Sequence, residues 1–219
     1  IIPIGCSPNG RNINLRCGST SPELIQATVS GVHADVGIAL DGDGDRLVMV
    51  DHLGRIADGD QLLYVIASDR KRAGTLQGPV VGTVMSNLGL EQKLRAEGVE
   101  FLRAKVGDRY VLAMLKEHGG VLGGETSGHL LCLDRTTTGD GLISALEVLA
   151  VMKRTGRPLA ELVAGMPKFP QVMINVRVRE RIDPSQSQVI QDAVRRVEKV
   201  LGSTGRVVLR ASGTEPVIR

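Results

Sequence analysis

A chain of 219 residues with 27 basic and 24 acidic side chains mixed along its length carries a net charge of only +3, which excludes a continuous cationic face that could follow a nucleic-acid backbone. Two Phe, two Tyr and no Trp also remove the aromatic surfaces on which single-stranded bases stack. With 42% hydrophobic residues the chain can bury a sizeable core, yet no apolar run reaches the roughly 18 residues of a membrane span, so neither nucleic acid nor membrane is an expected partner. Cys6, Cys17 and Cys132 are odd in number and widely spaced, without CxxC pairs, which fits a reducing cytoplasm. The opening IIPIGCSPNG lacks Met and a signal-peptide pattern and starts like the middle of an apolar strand, which predicts a piece of a longer protein.

In chain order, Pro22 to Val32 reads as a helix, with Thr20 and Glu23 spaced as a capping box and Pro22 near the first turn. Asp35 to Leu40 is a short apolar strand running into the acidic loop DGDGDR. LVMVD, the turn His52-Leu53-Gly54 and RIA then predict a hairpin. From Asp58 the pattern alternates: a helix to Arg72, the strand PVVGTVMS, a helix to Ala96, the strand VEFLRAKV and a helix from Asp108 to Glu117. Alternation of this kind predicts parallel strands with crossover helices. VLGGETSGHLLCLD reads as strand, loop and strand, and TTGDGLISALEVLAVMKR as a long helix, closing an α/β domain near Met166. After Pro167 and Pro170, QVMINVRVRE alternates like a half-buried strand, Pro184 to Leu201 reads as a helix and RVVLRASG as a strand, the beginning of an α+β domain cut short at Arg219.

Three loops carry chemistry. DGDGDR sets Asp41, Asp43 and Asp45 at alternate positions, with Gly42 and Gly44 letting the backbone curl so that three carboxylates meet. Carboxylates held together repel unless a hard cation neutralises them, and oxygen-only ligation favours Mg²⁺, Mn²⁺ or Ca²⁺ over zinc. An EF-hand would need Gly and Glu where Arg46 and His52 stand. Arg46 after the last aspartate suits a ligand that also brings phosphate oxygens.

GGETSGH, residues 123–129, gathers a carboxylate, two hydroxyls and an imidazole among glycines, a mixture that suits a polyol; the plain alternative is a glycine-rich turn with a surface histidine. RASGTEP, residues 210–216, offers a guanidinium, two hydroxyls and backbone N–H groups around Gly213, a nest for a phosphate dianion, against the alternative of an ordinary turn.

These motifs stand in the order found in the α-D-phosphohexomutases, and across essentially the whole chain the sequence resembles that family. DGDGDR resembles its metal loop. PNGRNINLRCGSTSPE (8–23), GTVMSN (82–87) and KVGDRY (105–110) resemble segments of its glucosamine-phosphate branch. The resemblance implies Mg²⁺ on Asp41, Asp43 and Asp45, Arg46 beside the transferring phosphoryl group, Glu125 and Ser127 on the sugar hydroxyls, and His129 in proton transfer. Arg210, Ser212, Gly213 and Thr214 would hold the phosphate that is not transferred, with Arg219 as a further source of charge.

The implied reaction interconverts glucosamine 6-phosphate and glucosamine 1-phosphate through a phosphoserine and glucosamine 1,6-bisphosphate. The family's T-A-S-H-N-P-like serine motif does not occur in these residues, so the chain by itself is expected not to turn over. Thr126 stands where the glucosamine branch carries Gln, which keeps the mannose and glucose branches as the alternative. A non-catalytic sugar-phosphate-binding module is the alternative from another class, and a homodimer and a monomer both stay open. In family terms residues 1–57 would complete a second domain bearing the metal loop. Residues 58–166 would be the third domain, and 167–219 a truncated fourth.

Overall fold

The computed structural model describes residues 1–179, 182–212 and 216–219, and they group into two units, Ile1–Lys168 and Phe169–Arg219. In the first unit, α1 (Glu23–Val32) turns its apolar residues Ile25 and Val29 onto the sheet that follows. The capping box expected of Thr20 and Glu23 does not form. Pro22 takes the N-cap position in a helical conformation, and the Glu23 carboxylate accepts instead from the Ser21 hydroxyl at 2.9 Å. The strands β1 (Val36–Leu40), β2 (Leu47–Asp51) and β3 (Ile56–Ala57) make an antiparallel sheet in that order, so the hairpin after the acidic loop is present.

The next helix, α2 (Gly59–Arg72), starts where a capping box predicts: the Asp58 carboxylate accepts from the Gln61 N–H, and the Gln61 side chain accepts from the Asp58 N–H. It is enclosed on nearly all sides, packing against β6, α3, α5 and α6. Leu62, Leu63 and Ile66 are fully buried and contribute about 1.5–3 kcal/mol each. Around it run β4 (Val80–Thr83), α3 (Leu88–Ala96), β5 (Phe101–Ala104), α4 (Asp108–His118), β6 (Leu122–Gly124), β7 (Leu130–Cys132), α5 (Gly141–Thr155) and α6 (Leu159–Val163). The sheet order is β5-β4-β6-β7, with β4 parallel to both β5 and β6 and β7 antiparallel to β6. The parallel strands follow from the alternation read in the sequence. The short α6, lying between Pro158 and Gly165, had no helical period long enough to reveal it.

The buried Arg70 of α2 and the neighbouring Glu97 are both partnered. Arg70 reaches Asp134 and Glu147, each at 2.9 Å, while Glu97 accepts from Ser68 at 2.6 Å and Tyr64 at 3.1 Å. Burial pushes the nearby Cys132 thiol up to about 11, which keeps it protonated and unreactive at neutral pH.

In the second unit, β8 (Val176–Arg177) and β9 (Val217–Ile218) pair antiparallel, and α7 (Gln188–Leu201) follows a short 3-10 turn at Pro184–Gln186. The two strands read in QVMINVRVRE and RVVLRASG shrink accordingly. Among the described residues of the first, Val176 and Arg177 are paired in a ladder. In the second, the described pairing comprises the Ala211–Ile218 bridge, the reciprocal Arg210–Arg219 bonds at 2.8 and 2.9 Å and the Ser212 N–H donating to the Val217 carbonyl at 2.8 Å. An alternating pattern makes a strand only where a neighbour completes the ladder, and residues 206–209 are assigned to no strand. No helix among the described residues is long and apolar enough to cross a membrane.

Candidate functional site

The acidic loop is the connection of a hairpin. Leu40 faces Leu47 across β1 and β2, and the six residues between must turn the chain, which Gly44 does at φ +74°. Asp41 closes the loop by accepting the Arg46 N–H at 3.1 Å. Oxygens of Asp41, Asp43 and Asp45 then lie within 4.8 Å of one another. Burial pushes the Asp45 carboxyl above the usual carboxylate range; the His129 ring opposes this shift, and Asp41 and Asp43 add to it. The Arg46 guanidinium, half exposed, stands 3.7 Å from Asp41 and 3.9 Å from Asp45. Asp45 Oδ1 is enclosed yet accepts no hydrogen bond. An all-oxygen cluster with such an orphaned oxygen fits a hard divalent cation.

The GGETSGH loop is the tip of the β6–β7 hairpin. Gly128 N–H donates to the Glu125 carbonyl at 3.0 Å, so Thr126 and Ser127 occupy the centre of a tight turn, and Gly128 itself sits at φ +93°. A Cβ at Gly128 would lie 2.0 Å from the Leu47 carbonyl oxygen, so no other residue fits between the two loops. The joint is main-chain as well: Arg46 and His129 form an antiparallel bridge, and Leu47 N–H donates to the Gly128 carbonyl at 3.0 Å. Residues 41–47 and 125–129, far apart in sequence, are thereby held edge to edge.

The side chains at this joint do not all face the same way. His129 is 5% exposed, its Nδ1 lies 3.1 Å from Asp45 Oδ2, and its Nε2 is buried without a partner. A Cβ on Gly139 would come within 2.2 Å of that Nε2, so the chain passes directly over it. Glu125 Oε1 accepts from Gly107 N–H at 2.9 Å, which brings KVGDRY to the GGETSGH loop, and Ser127 is exposed. Thr126 turns inward, its hydroxyl donating to Asp60 Oδ2 at 2.8 Å. Asp60 also accepts the Asn87 N–H at 2.8 Å, which joins GTVMSN to the same cluster. Sequence reasoning missed Asp60 because a second acidic residue at a helix start reads as ordinary complementarity to the helix dipole.

In the second unit, Ser212 is 5% exposed and its N–H donates to the Val217 carbonyl at 2.8 Å, while Arg210 is tied to Arg219 through the main chain and Arg219 Nε donates to Asn175 at 3.1 Å. Gly213 and Thr214 lie outside the described residues. A cleft of about 400 Å³ in the first unit is lined by Tyr64, Ser68, Lys71, Arg72, Glu97 and Arg157 among others, and none of the candidate residues borders it.

The chain is similar to known proteins. Residues 58–169 match the family model described as phosphoglucomutase/phosphomannomutase, alpha/beta/alpha domain III, and residues 173–219 match the C-terminal domain of the same family. The chain is 58% identical to the phosphoglucosamine mutase of Methylococcus capsulatus over 99% of its own length and 48% of that protein's. It is 57% identical to that of Aeromonas hydrophila over 100% of its own length and 49% of that protein's. It thus spans about half the length of the curated relatives it matches. Among solved structures, N-acetylphosphoglucosamine mutase from Aspergillus fumigatus, in complex with GlcNAc-6P and magnesium, superposes with a TM-score of 0.75 at 20% identity, covering 96% of this chain and 53% of that one. A phosphoglucomutase/phosphomannomutase family protein from Burkholderia thailandensis gives 0.71 at 26% identity, covering 91% and 44%. With a family model matched across more than half of its residues, the chain belongs to the phosphoglucomutase/phosphomannomutase family.

Proposed function

We propose that the chain supplies the cation, sugar and distal-phosphate sites of a phosphoglucosamine mutase, which interconverts glucosamine 6-phosphate and glucosamine 1-phosphate through a phosphoserine and glucosamine 1,6-bisphosphate. The observation that carries this reading is the joint between the acidic loop and the sugar loop, where Asp45 meets His129 across 84 positions of sequence. A phosphoryl transfer to a sugar needs a cation site and a hydroxyl-recognising site side by side. Identity of 58% to a phosphoglucosamine mutase favours glucosamine over the mannose and glucose alternatives.

Asp41, Asp43 and Asp45 would hold Mg²⁺, which when bound supplies positive charge to the transferring phosphoryl group. Arg46 adds a guanidinium at the same place. Ser127 and Glu125 present a hydroxyl and a carboxylate to the sugar, the carboxylate steadied by Gly107. His129 serves first by holding Asp45; proton transfer from its ring requires the backbone at Gly139 to draw away from Nε2. Arg210, Ser212, Gly213 and Thr214 are assigned to the distal phosphate. The phosphoserine must come from a part of the enzyme beyond these residues. In this reading 1–57 complete a second domain, 58–166 form the third and 167–219 belong to the fourth.

Calorimetric titration of Mg²⁺ and glucosamine 1,6-bisphosphate into the chain tests the assignment. Asp43→Asn is expected to weaken Mg²⁺ binding by about tenfold or more, and Ser212→Ala to weaken the bisphosphate while sparing the cation. Wild-type affinities in both variants would overturn it.

A further inference from the structure

We infer that Thr126 and Asp60 are positioning residues for the sugar loop: the loop hangs from the start of α2, and this attachment sets where Glu125 and Ser127 stand. The inference deepens the proposed sugar site and rests on it.

Two bonds tie Thr126 to the first residues of α2. Its carbonyl accepts the Gly59 N–H at 3.2 Å, and its hydroxyl donates to Asp60 Oδ2 at 2.8 Å. The approach is close enough that a Cβ on Gly59 would lie 2.0 Å from the Glu125 carbonyl oxygen and 2.7 Å from the Gly128 nitrogen. Asp60 is 1% exposed, and the same Oδ2 takes the Asn87 N–H, so the attachment point is itself held on the turn that starts α3. The other oxygen, Oδ1, is buried without a partner. Losing the Thr126 hydroxyl would therefore leave an enclosed acceptor less satisfied.

The turn geometry assigns the two central residues opposite tasks. Thr126 points inward to Asp60, and Ser127 points out. A residue at 126 consequently acts on the sugar through the placement of its two neighbours rather than by touching it. That gives a physical meaning to position 126, where this chain carries Thr. A longer side chain cannot make the same short bond to Asp60 without moving the turn, and Glu125, fixed at its far end by Gly107 N–H, would feel that movement.

Thr126→Val removes the hydroxyl at nearly constant shape, and Thr126→Ser restores it. Amide hydrogen exchange in the 219-residue chain reports on the attachment at Gly59, Gly107 and Gly128, whose N–H groups bond to the loop. Thr126→Val is expected to speed exchange there about tenfold, and Thr126→Ser to stay within about twofold of the parent. Titration with glucosamine 6-phosphate should show affinity reduced about fivefold or more in the valine variant and recovered in the serine one, while Mg²⁺ affinity is the same in all three. Unchanged exchange in Thr126→Val overturns the inference, as does faster exchange with sugar-phosphate affinity intact. Exchange that responds as expected, in a parent chain that binds no glucosamine 6-phosphate, overturns the sugar-site reading and leaves the attachment standing.

Discussion

Asp60 shows at the scale of one residue how burial and pH are coupled. Burial raises its carboxyl above the ordinary aspartate value, against the Asn87 and Thr126 bonds that lower it. The folded chain therefore keeps a proton that the unfolded chain has released. The stability this contributes is whole below the unfolded value of about 3.9 and is lost as pH rises through the raised folded value. Asp60→Asn keeps an acceptor oxygen and has no proton to lose. Its stability relative to the parent is expected to climb with pH across that window and then level off, which thermal melts from about pH 4 to about pH 8 can follow. A gap of constant size would show that Asp60 is ionised throughout. Neither Asp60 nor the inward turn of Thr126 was legible in the sequence, because both depend on a contact across 66 positions. The three aspartates were legible, since alternating Asp and Gly can bring carboxylates together within one loop.

Among the elements, those whose signals are local came out as read. The helix α2 starts at Asp58 as read, on a capping box with Gln61 that was not read, and β4, β5 and β6 pair in parallel as strand–helix alternation requires. Thr20 and Glu23 had capping-box spacing too, but Pro22 between them took the cap position and left Glu23 to Ser21. In RVVLRASG, Arg210, Ala211 and Ser212 pair with residues 217–219, while 206–209 are assigned to no strand. What the sequence period also hid is the polar content of the buried α2, where Arg70 is 8% exposed and bridges β7's exit to α5 through Asp134 and Glu147. Arg70→Met removes the shared cation while preserving bulk. Because Arg135 still reaches both carboxylates, at 3.5 and 3.0 Å, the expected cost is about 2 kcal/mol rather than the larger value of a fully stranded pair. Urea unfolding measures this, and a midpoint equal to the parent's would show that the bridge contributes nothing net.

For the whole molecule, the two units differ in what they contain: every contact of the DGDGDR and GGETSGH loops described above lies within Ile1–Lys168. Residues 169–175, which follow, have no regular structure, and the Lys168 side chain is half exposed. Brief trypsin treatment should cut first after Lys168, and the 1–168 piece should bind Mg²⁺ within about twofold of the intact chain. Loss of that binding would mean that the cation site draws on Phe169–Arg219. The order of synthesis follows from the Asp45–His129 contact. Asp45 leaves the ribosome 84 residues before the histidine that holds it, and at about 5–20 residues per second the wait lasts seconds, long beside the microseconds in which a hairpin closes. Through that interval the acidic hairpin must persist as a nascent chain without its imidazole, its covering glycines or the turn that locks it, and only the arrival of residues 125–141 converts it from a loose cluster of like charges into a shaped receptor.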